Sequence, residues 1–244
     1  GLSDLKWDSV AAKAGERHAR DMARGGFTAH WGTDGSVPEQ RYTEAGGEDF
    51  SQENAGCFAD GTSRELDDDP RFDASEIERV ESAFVNETPP HDGHRRNILR
   101  PWHTHVGVGL AKAKGVAVVC VAEEFVDRYG AYEPLSIAAK KIHVQGEIRG
   151  PARFVGVGIA RLATTQKRSP SALLKTGSYA IPAPIVTYFP QGFVTPIPVA
   201  VDGNRFSIDI PVPKETGMYQ VSVWGRVPGT KENVMISLRT MKIP

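Results

Sequence analysis

The net charge of this 244-residue chain changes sign once along its length. Residues 1–139 hold 15 Lys and Arg against 25 Asp and Glu, a net charge of −10, whereas residues 140–244 hold 14 against 5, a net charge of +9. Six of the seven His also lie in the first part. A single reversal of charge and composition is typical of a domain boundary. The sequence therefore predicts two domains, 1–135 and 140–244.

The first part has the hydrophobic spacing of helices followed by strands. Apolar residues at helical intervals predict helices over residues 4–24 and 74–87, and Ser36 is placed to cap a short helix between them. Two apolar, partly β-branched stretches, 105–111 and 116–126, predict a hairpin. Helices that precede strands in this way indicate an α+β domain.

The last hundred residues differ from the first part in composition and pattern. They are rich in Pro and show no helical pattern of any length. Short β-forming runs alternate with Gly, Pro and Asn turns. The strand candidates are 142–148, 154–163, 177–181, 185–189, 193–201, 205–210, 217–227 and 234–242. This pattern favours an all-β, immunoglobulin-like sandwich.

Candidate chemistry is concentrated in loops of the first part. His30, Glu53, Glu87, His91 and His94 all lie beside Gly, Pro or other turn-forming residues, where binding and catalytic side chains are often placed. Two imidazoles and two carboxylates that converge would suit a divalent ion with open positions, or an acid–base pair. Their sequence spacing alone does not require them to meet.

Six short strings in the first part occur in an order that is known from one family. They are Trp7-Asp8, residues 18–23 (HARDMA), residues 30–35 (HWGTDG), Glu53-Asn54-Ala55, and residues 93–99 (GHRRNIL) followed by 104–109 (THVGVG). Over roughly residues 3–128 the chain resembles the CAP superfamily, also called SCP-like. That superfamily includes the cysteine-rich secretory proteins, antigen 5 and the plant pathogenesis-related proteins, and the bacterial branch is the most similar. The resemblance implies an N-terminal αβα sandwich.

The same resemblance implies a cavity formed by two His and two Glu. It assigns the first pair to His30 and Glu53, and the second His to His94. The fourth member is assigned to Glu87, which ends residues 84–87 (FVNE) where the family has W-Y-x-E, so two of the motif's aromatic positions are changed.

Several residues remain alternatives or bystanders in this assignment. Glu78 and Glu81 are the alternatives to Glu87, and His91 is a reserve ligand beside His94. Among the remaining histidines, His18 is expected to be a packed core or surface residue and His103 to face solvent.

Three functions follow from these features. The resemblance implies a secreted binding protein whose pocket takes Zn²⁺ or a similar divalent metal, or a lipid or other small hydrophobic ligand. The alternative is a metal-assisted, peptidase-like hydrolase with Glu53 or Glu87 as general base, although no nucleophile motif is present. In a third hypothesis the basic C-terminal domain binds an anionic cell-envelope polymer. Nucleic acid is not expected as a partner, because no basic–aromatic module is apparent.

Location and redox state are constrained only in part. No run of about 18 apolar residues occurs, so no transmembrane segment is expected. The chain starts at Gly1 without a leader-like segment, so we expect a signal peptide to have been removed and the protein to be secreted or envelope-associated. Cys57 and Cys120 form either one disulfide, as in an exported protein, or two buried thiols.

Overall fold

The structure, a computed structural model, describes residues 2–162 and 166–244. It divides into two compact units. The first unit contains residues 1–46, 51–126 and 166–180, and the second contains 47–50, 127–165 and 181–244. The predicted β-domain range, 140–244, therefore includes a segment, 166–180, that the structure groups with the first unit.

The first unit has helices around one sheet. Its helices are α1 (Ser9–Gly25), α2 (Pro38–Glu44), α3 (Ala74–Val85), α4 (Gly93–Ile98) and α5 (Pro170–Leu173). Its strands are β1 (Lys6–Trp7), β2 (Phe50–Gly56), β3 (His105–Ala111) and β4 (Cys120–Asp127). The strand order is β1-β3-β4-β2, with β1 parallel to β3 and β3 antiparallel to β4. Strand β2 is therefore at an edge of this sheet.

Helix α1 approaches the sheet closely because glycines remove the side chains between them. A Cβ on Gly109 would lie 1.9 Å from the backbone nitrogen of Glu16. A Cβ on Gly15 would lie 2.7 Å from the carbonyl oxygen of Ala122. Any larger residue at either position would push α1 away from β3 and β4. The Gly-Val-Gly pattern in β3 is therefore explained by packing against this helix.

The N-terminal helix starts later than the predicted range of 4–24. Lys6 and Trp7 pair in parallel with β3, and Asp8 caps α1 by accepting hydrogen bonds from the backbone N–H groups of Val10 and Ala11 at 2.8 and 2.9 Å. An Asp at this position satisfies helix donors that would otherwise have no partner. Residues 4–8 are therefore extended, and the predicted helix start was wrong.

The second strand of the predicted hairpin also starts later than expected. The backbone N–H of Val116 donates to Ala113 O at 3.1 Å, which closes a turn. Pairing with β3 begins where Cys120 faces Ala111, the last residue of β3. The prediction of strand over 116–119 was wrong, because β3 offers no partner there.

Residues 166–180 contribute to the first unit through side-chain packing. Ser169 caps α5, Pro170 occupies its first turn, and Leu173 lies fully buried in a core that includes Met22 and Phe27. The predicted strand over 177–181 was wrong, as was the expectation of no helix in this half. The residues that follow α5 are connected to the rest of the first unit by side-chain contacts, not by strand pairing.

Replacing Leu173 with Ala should destabilise the first unit, because it removes a fully buried side chain from a closed core. We expect a loss of about 2–5 kcal/mol in the free energy of unfolding, measured by urea denaturation. Leu174→Ala is the matched control, since the neighbouring side chain is 39% exposed and should cost much less. Equal losses in the two variants would show that α5 does not seal this core.

Cys57, just after β2, is joined to Cys120 at the start of β4 by a disulfide. The structure thereby selects one of the two redox states that the sequence left open. The bond closes a loop of 63 residues in sequence separation.

Removal of this disulfide should lower the free energy of unfolding, because the cross-link restricts the unfolded chain. For a loop of this length the chain-entropy estimate is about 4 kcal/mol. The measurement is urea unfolding of the oxidised protein beside the Cys57→Ser/Cys120→Ser variant. An unchanged midpoint and slope would contradict a stabilising role.

The second unit is built from antiparallel strands. They are β5 (Gly130–Tyr132), β6 (Ser136–Ala138), β7 (Lys141–Ile148), β8 (Arg153–Arg161), β9 (Val186–Tyr188), β10 (Ala200–Asp202), β11 (Arg205–Pro211), β12 (Gly217–Arg226) and β13 (Val234–Ile243). One sheet has the order β10-β11-β7-β5, with β6 also paired to β7, and the other has the order β13-β12-β8-β9.

Alternation along the strands supplies the core of this unit. In β11 the side chains of Phe206, Ile208 and Ile210 are buried while their neighbours are more exposed. The rings of Phe154 and Phe206 stack with centroids 4.6 Å apart and connect the two sheets. The prediction of an α+β chain with a second part built mostly from strands is confirmed.

Two strand predictions in this unit need correction. Most of the predicted strand 193–201 is loop, and only its end belongs to β10. The strand predicted over 154–163 ends at residue 161 in the structure, and residue 163 lies outside the described part.

Within the described ranges, no helix is both long and apolar enough to cross a membrane.

Candidate functional site

A buried ion pair forms the centre of the site. Glu53, on β2, accepts a hydrogen bond from the Arg41 guanidinium of α2 at 2.6 Å, and both side chains are almost completely buried. Burial alone would raise the pKa of Glu53, but the charge of Arg41 and the nearby imidazoles lower it below its ordinary range. Glu53 is therefore a carboxylate at neutral pH.

His30 is oriented by that carboxylate. Its Nδ1 lies 2.9 Å from Glu53 Oε1, and its ring is partly exposed. Because an ionised carboxylate only accepts hydrogen bonds, Nδ1 carries the proton and donates it. The other ring nitrogen, Nε2, then presents a lone pair, and it has no hydrogen-bond partner among the described residues. Arg41 adds a hydrogen bond to the carbonyl oxygen of His30 at 3.1 Å.

His18 lies beside the same carboxylate but in a different state. It is fully buried on α1, and its Nε2 is 2.7 Å from Ala29 O and 3.7 Å from Glu53 Oε1. Burial, with the nearby charge of Arg41, lowers the pKa of His18 to about 4. The ring is therefore neutral at pH 7. Its position in the core is one of the two that the sequence allowed.

A second imidazole–carboxylate pair lies where α3 leads into α4. His94 Nδ1 lies 2.6 Å from Glu87 Oε1, and Glu87 Oε2 accepts the backbone N–H of His94 at 2.9 Å. Burial alone would raise the pKa of Glu87, but these contacts keep it below its ordinary value. Phe84 packs against the His94 ring with centroids 4.5 Å apart. As in the first pair, Nδ1 donates, and Nε2 has no partner within the described part of the chain.

Both pairs contact β2, an edge strand. Successive side chains of a strand point to opposite sides, so Glu53 and Asn54 face different layers. Glu53 meets His30 and Arg41, whereas the Asn54 side-chain amide donates to His94 O at 3.4 Å. Neighbouring side chains of this strand therefore contact both pairs, Glu53 at the His30 ring and Asn54 at the His94 backbone.

The structure brings the predicted residues together as two pairs. Each carboxylate holds the Nδ1 of its own histidine, which leaves the imidazole Nε2 atoms as the open ligands. Within residues 2–162 and 166–244, no cluster of three or more His, Cys, Asp and Glu is arranged to hold a metal ion. The reserve ligand, His91, is exposed, and its backbone N–H donates to Thr88 O at 3.0 Å.

Two further acidic residues, both on β4, were not singled out from the sequence. Burial, with a hydrogen bond that protonated Glu123 donates to the Glu81 carboxylate, raises the pKa of Glu123 to about 9. Burial, with the charge of Glu53, raises the pKa of Glu124 well above its ordinary value. Ser51 donates a hydrogen bond to Glu124 at 2.6 Å. Glu123 is therefore neutral at pH 7, and the charged form of Glu124 is disfavoured on the other face of the sheet.

A polar network supports the His94 side and was also missed. Asn54 donates to Glu123 Oε2 at 3.1 Å and accepts from the Asn97 amide at 2.9 Å. His103 Nε2 lies 3.1 Å from Asn97 Oδ1, and its ring stacks on Phe125. The expectation that His103 faces solvent was therefore wrong. Alternation along β2 is the signal that could have revealed Asn54, had that strand been predicted.

Replacing Glu123 with Gln should change how stability depends on pH. The pKa of Glu123 is about 9 in the folded protein against 4.5 for an ordinary Glu, so folding favours the protonated form. Its stabilising contribution is complete below about pH 4.5 and is lost as the pH rises towards 9. Gln cannot ionise, so we expect the variant to lose less stability between about pH 5 and 9.

The measurement is the free energy of unfolding at several pH values. The difference between variant and parent should reach at least about 1 kcal/mol, since one pKa unit is worth about 1.4 kcal/mol. Glu78→Gln on α3 is the control, because Glu78 is exposed. Parallel pH profiles for all three proteins would contradict a buried, neutral Glu123.

These features define a class of protein: a sheet between helical layers, with two histidines that are each oriented by a glutamate. The family model described as the cysteine-rich secretory protein family, CAP, matches residues 1–123, half of the chain. The chain belongs to the CAP family. No curated protein matches it at a significant level.

Proposed function

We propose that this chain is a secreted CAP-family binding protein whose site takes a divalent metal ion through His30 and His94. The observation that carries this proposal is the shared state of the two imidazoles. Each has Nδ1 held by a carboxylate and Nε2 without a partner among the described residues. A carboxylate on the far nitrogen fixes the tautomer and makes the ring a better metal ligand.

The donor chemistry fits a borderline ion such as Zn²⁺, which prefers imidazole nitrogen. His30 and His94 would hold it, while Glu53 and Glu87 would orient the rings rather than coordinate. Two protein ligands leave several positions open, so such an ion could polarise a polar group of a small ligand. Binding through two ligands should be weak and reversible compared with that of a four-ligand structural site.

Binding is favoured over the hydrolase alternative because of the state of the carboxylates. A general base needs a pKa close to the working pH. Glu53 is instead paired with Arg41, and its pKa is lowered, as is that of Glu87. Neither carboxylate is suited to take a proton from water at neutral pH.

Export and the role of the second unit belong to the same proposal. A disulfide is typical of secreted and envelope proteins, so the Cys57–Cys120 bond supports export. The second unit remains a candidate for envelope attachment, although its charge gives this weaker support than the sequence suggested. It holds 12 Lys and Arg against 9 Asp and Glu, because Lys167, Arg168 and Lys175 belong to the first unit, whereas residues 47–50 and 127–139 add four acidic residues and one basic residue.

Calorimetric titration of Zn²⁺ into the full chain at neutral pH tests the proposal. We expect measurable binding that His30→Ala and His94→Ala each weaken by at least about tenfold, since each removes one of two ligands. His91→Ala is the matched control, because it removes an exposed imidazole three positions from His94.

The possible outcomes separate the assignments. If the His91 variant loses the binding and the His94 variant retains it, the reserve ligand is the correct one. If the parent gives no heat with Zn²⁺, or if His30→Ala binds as tightly as the parent, the metal proposal is wrong.

A further inference from the structure

A cavity of about 500 Å³ lies along α1, in the first unit. It is lined by side chains of α1, of the following loop and of α2. Cavities of this size hold small molecules. The residues assigned to metal binding do not line it, although it shares Arg41 with their surroundings.

Basic side chains predominate along one side of this cavity. Lys13, Arg17, Arg20 and Arg24 follow one another at intervals of three or four residues, so they lie on one face of α1. Arg17 forms ion pairs with Asp34 and Glu44. The other three form no ion pair within the described ranges.

Most acidic residues that line the cavity accept hydrogen bonds from other lining residues. Both carboxylate oxygens of Asp21 accept hydrogen bonds from Thr33, its backbone N–H and its hydroxyl, at 2.7 Å. Asp34 accepts from Ser36 N at 2.8 Å and from Arg17. Although burial opposes it, these contacts lower the pKa of Asp34 to about 2. Of the lining acids, Glu16 alone has no such partner in the described part.

Two buried lining residues have unused hydrogen-bonding atoms. His18 donates through Nε2 to Ala29 O, so its Nδ1 is a lone-pair acceptor, and this buried atom has no partner in the described part of the chain. Arg41 Nε is a buried donor that likewise has no partner there. Unsatisfied buried polar groups are costly and call for an explanation. An acceptor and a donor are what a hydroxyl group needs, since it both donates and accepts.

We propose that this cavity binds an anionic sugar, with its charged group on Lys13, Arg20 and Arg24 and a hydroxyl at His18 and Arg41. The basic residues without ion pairs provide the attraction for a phosphate or carboxylate. The hydroxyl-bearing remainder is assigned to the two buried polar atoms that have no partner among the described residues. The site does not depend on the metal proposal, because neither His30 nor His94 takes part in it.

Nuclear magnetic resonance titration of the full chain tests the site with four probes. Glucose 6-phosphate and glucuronate carry the two kinds of anion on the same ring, while glucose and inorganic phosphate each carry one half of the proposed chemistry. We expect at least one sugar anion to bind at least about tenfold more tightly than glucose and phosphate. The shift of His18 Nδ1 should move on binding, because that atom gains a donor.

Arg20→Gln/Arg24→Gln should weaken binding of the sugar anion by about tenfold or more, because it removes two of the charges proposed to attract the anion. Both side chains are exposed, so the fold does not depend on them. Arg71→Gln/Arg79→Gln is the matched control, because it removes two exposed positive charges outside the cavity. A comparable loss in the control would show that net charge, rather than this cavity, determines binding.

Other outcomes would overturn the proposal. Absence of binding at about 10 mM of either sugar anion rejects it. If phosphate binds as well as glucose 6-phosphate, the site recognises the anion alone, and the assignment of a sugar is wrong. Zinc titration of the Arg20→Gln/Arg24→Gln variant should match the parent, so failure of one proposal leaves the other testable.

Discussion

The arrangement of the first unit depends on the buried ion pair between Arg41 and Glu53. Two buried charges are tolerated only when each satisfies the other and further hydrogen bonds complete both, and breaking such a pair costs about 3–5 kcal/mol. Here Arg41 also donates to the carbonyl oxygens of His30 and Ser36, and Glu53 holds the His30 ring. The loop after α1, helix α2 and strand β2 are therefore fixed relative to one another by a single pair.

The sequence predicted most of this unit where the signal was local. The periodicity of α1 and the alternation of β3 lie within single segments, and the resemblance supplied His30, Glu53, Glu87 and His94. Strand β2 was missed because its pattern is not apolar on one face: Glu53 and Asn54 are both buried polar residues with partners far away in sequence. Arg41 was missed for the same reason, since nothing local to α2 indicates a buried guanidinium.

The reversal of charge near residue 140 does not coincide with the division of the chain into its two units. Residues 166–180 carry three of the basic residues and no acidic one, yet Leu173 lies in the core of the first unit. Two other contacts hold the segment there: the Tyr179 hydroxyl donates to Glu39, and the Arg168 guanidinium lies over the Trp31 ring. A segment can return in this way because packing depends on the few side chains that reach the core, whereas composition averages over all of them.

The charge states around Glu53 connect the two proposed sites. Arg41 and Glu53 cancel, and burial disfavours the charged forms of His18 and Glu124 beside them. The buried cluster is therefore built around a single ion pair. Arg41 uses its terminal nitrogens for Glu53 and the two carbonyls, and its Nε remains for the cavity. A hydroxyl on Nε would therefore leave the ion pair intact, and through it the orientation of His30.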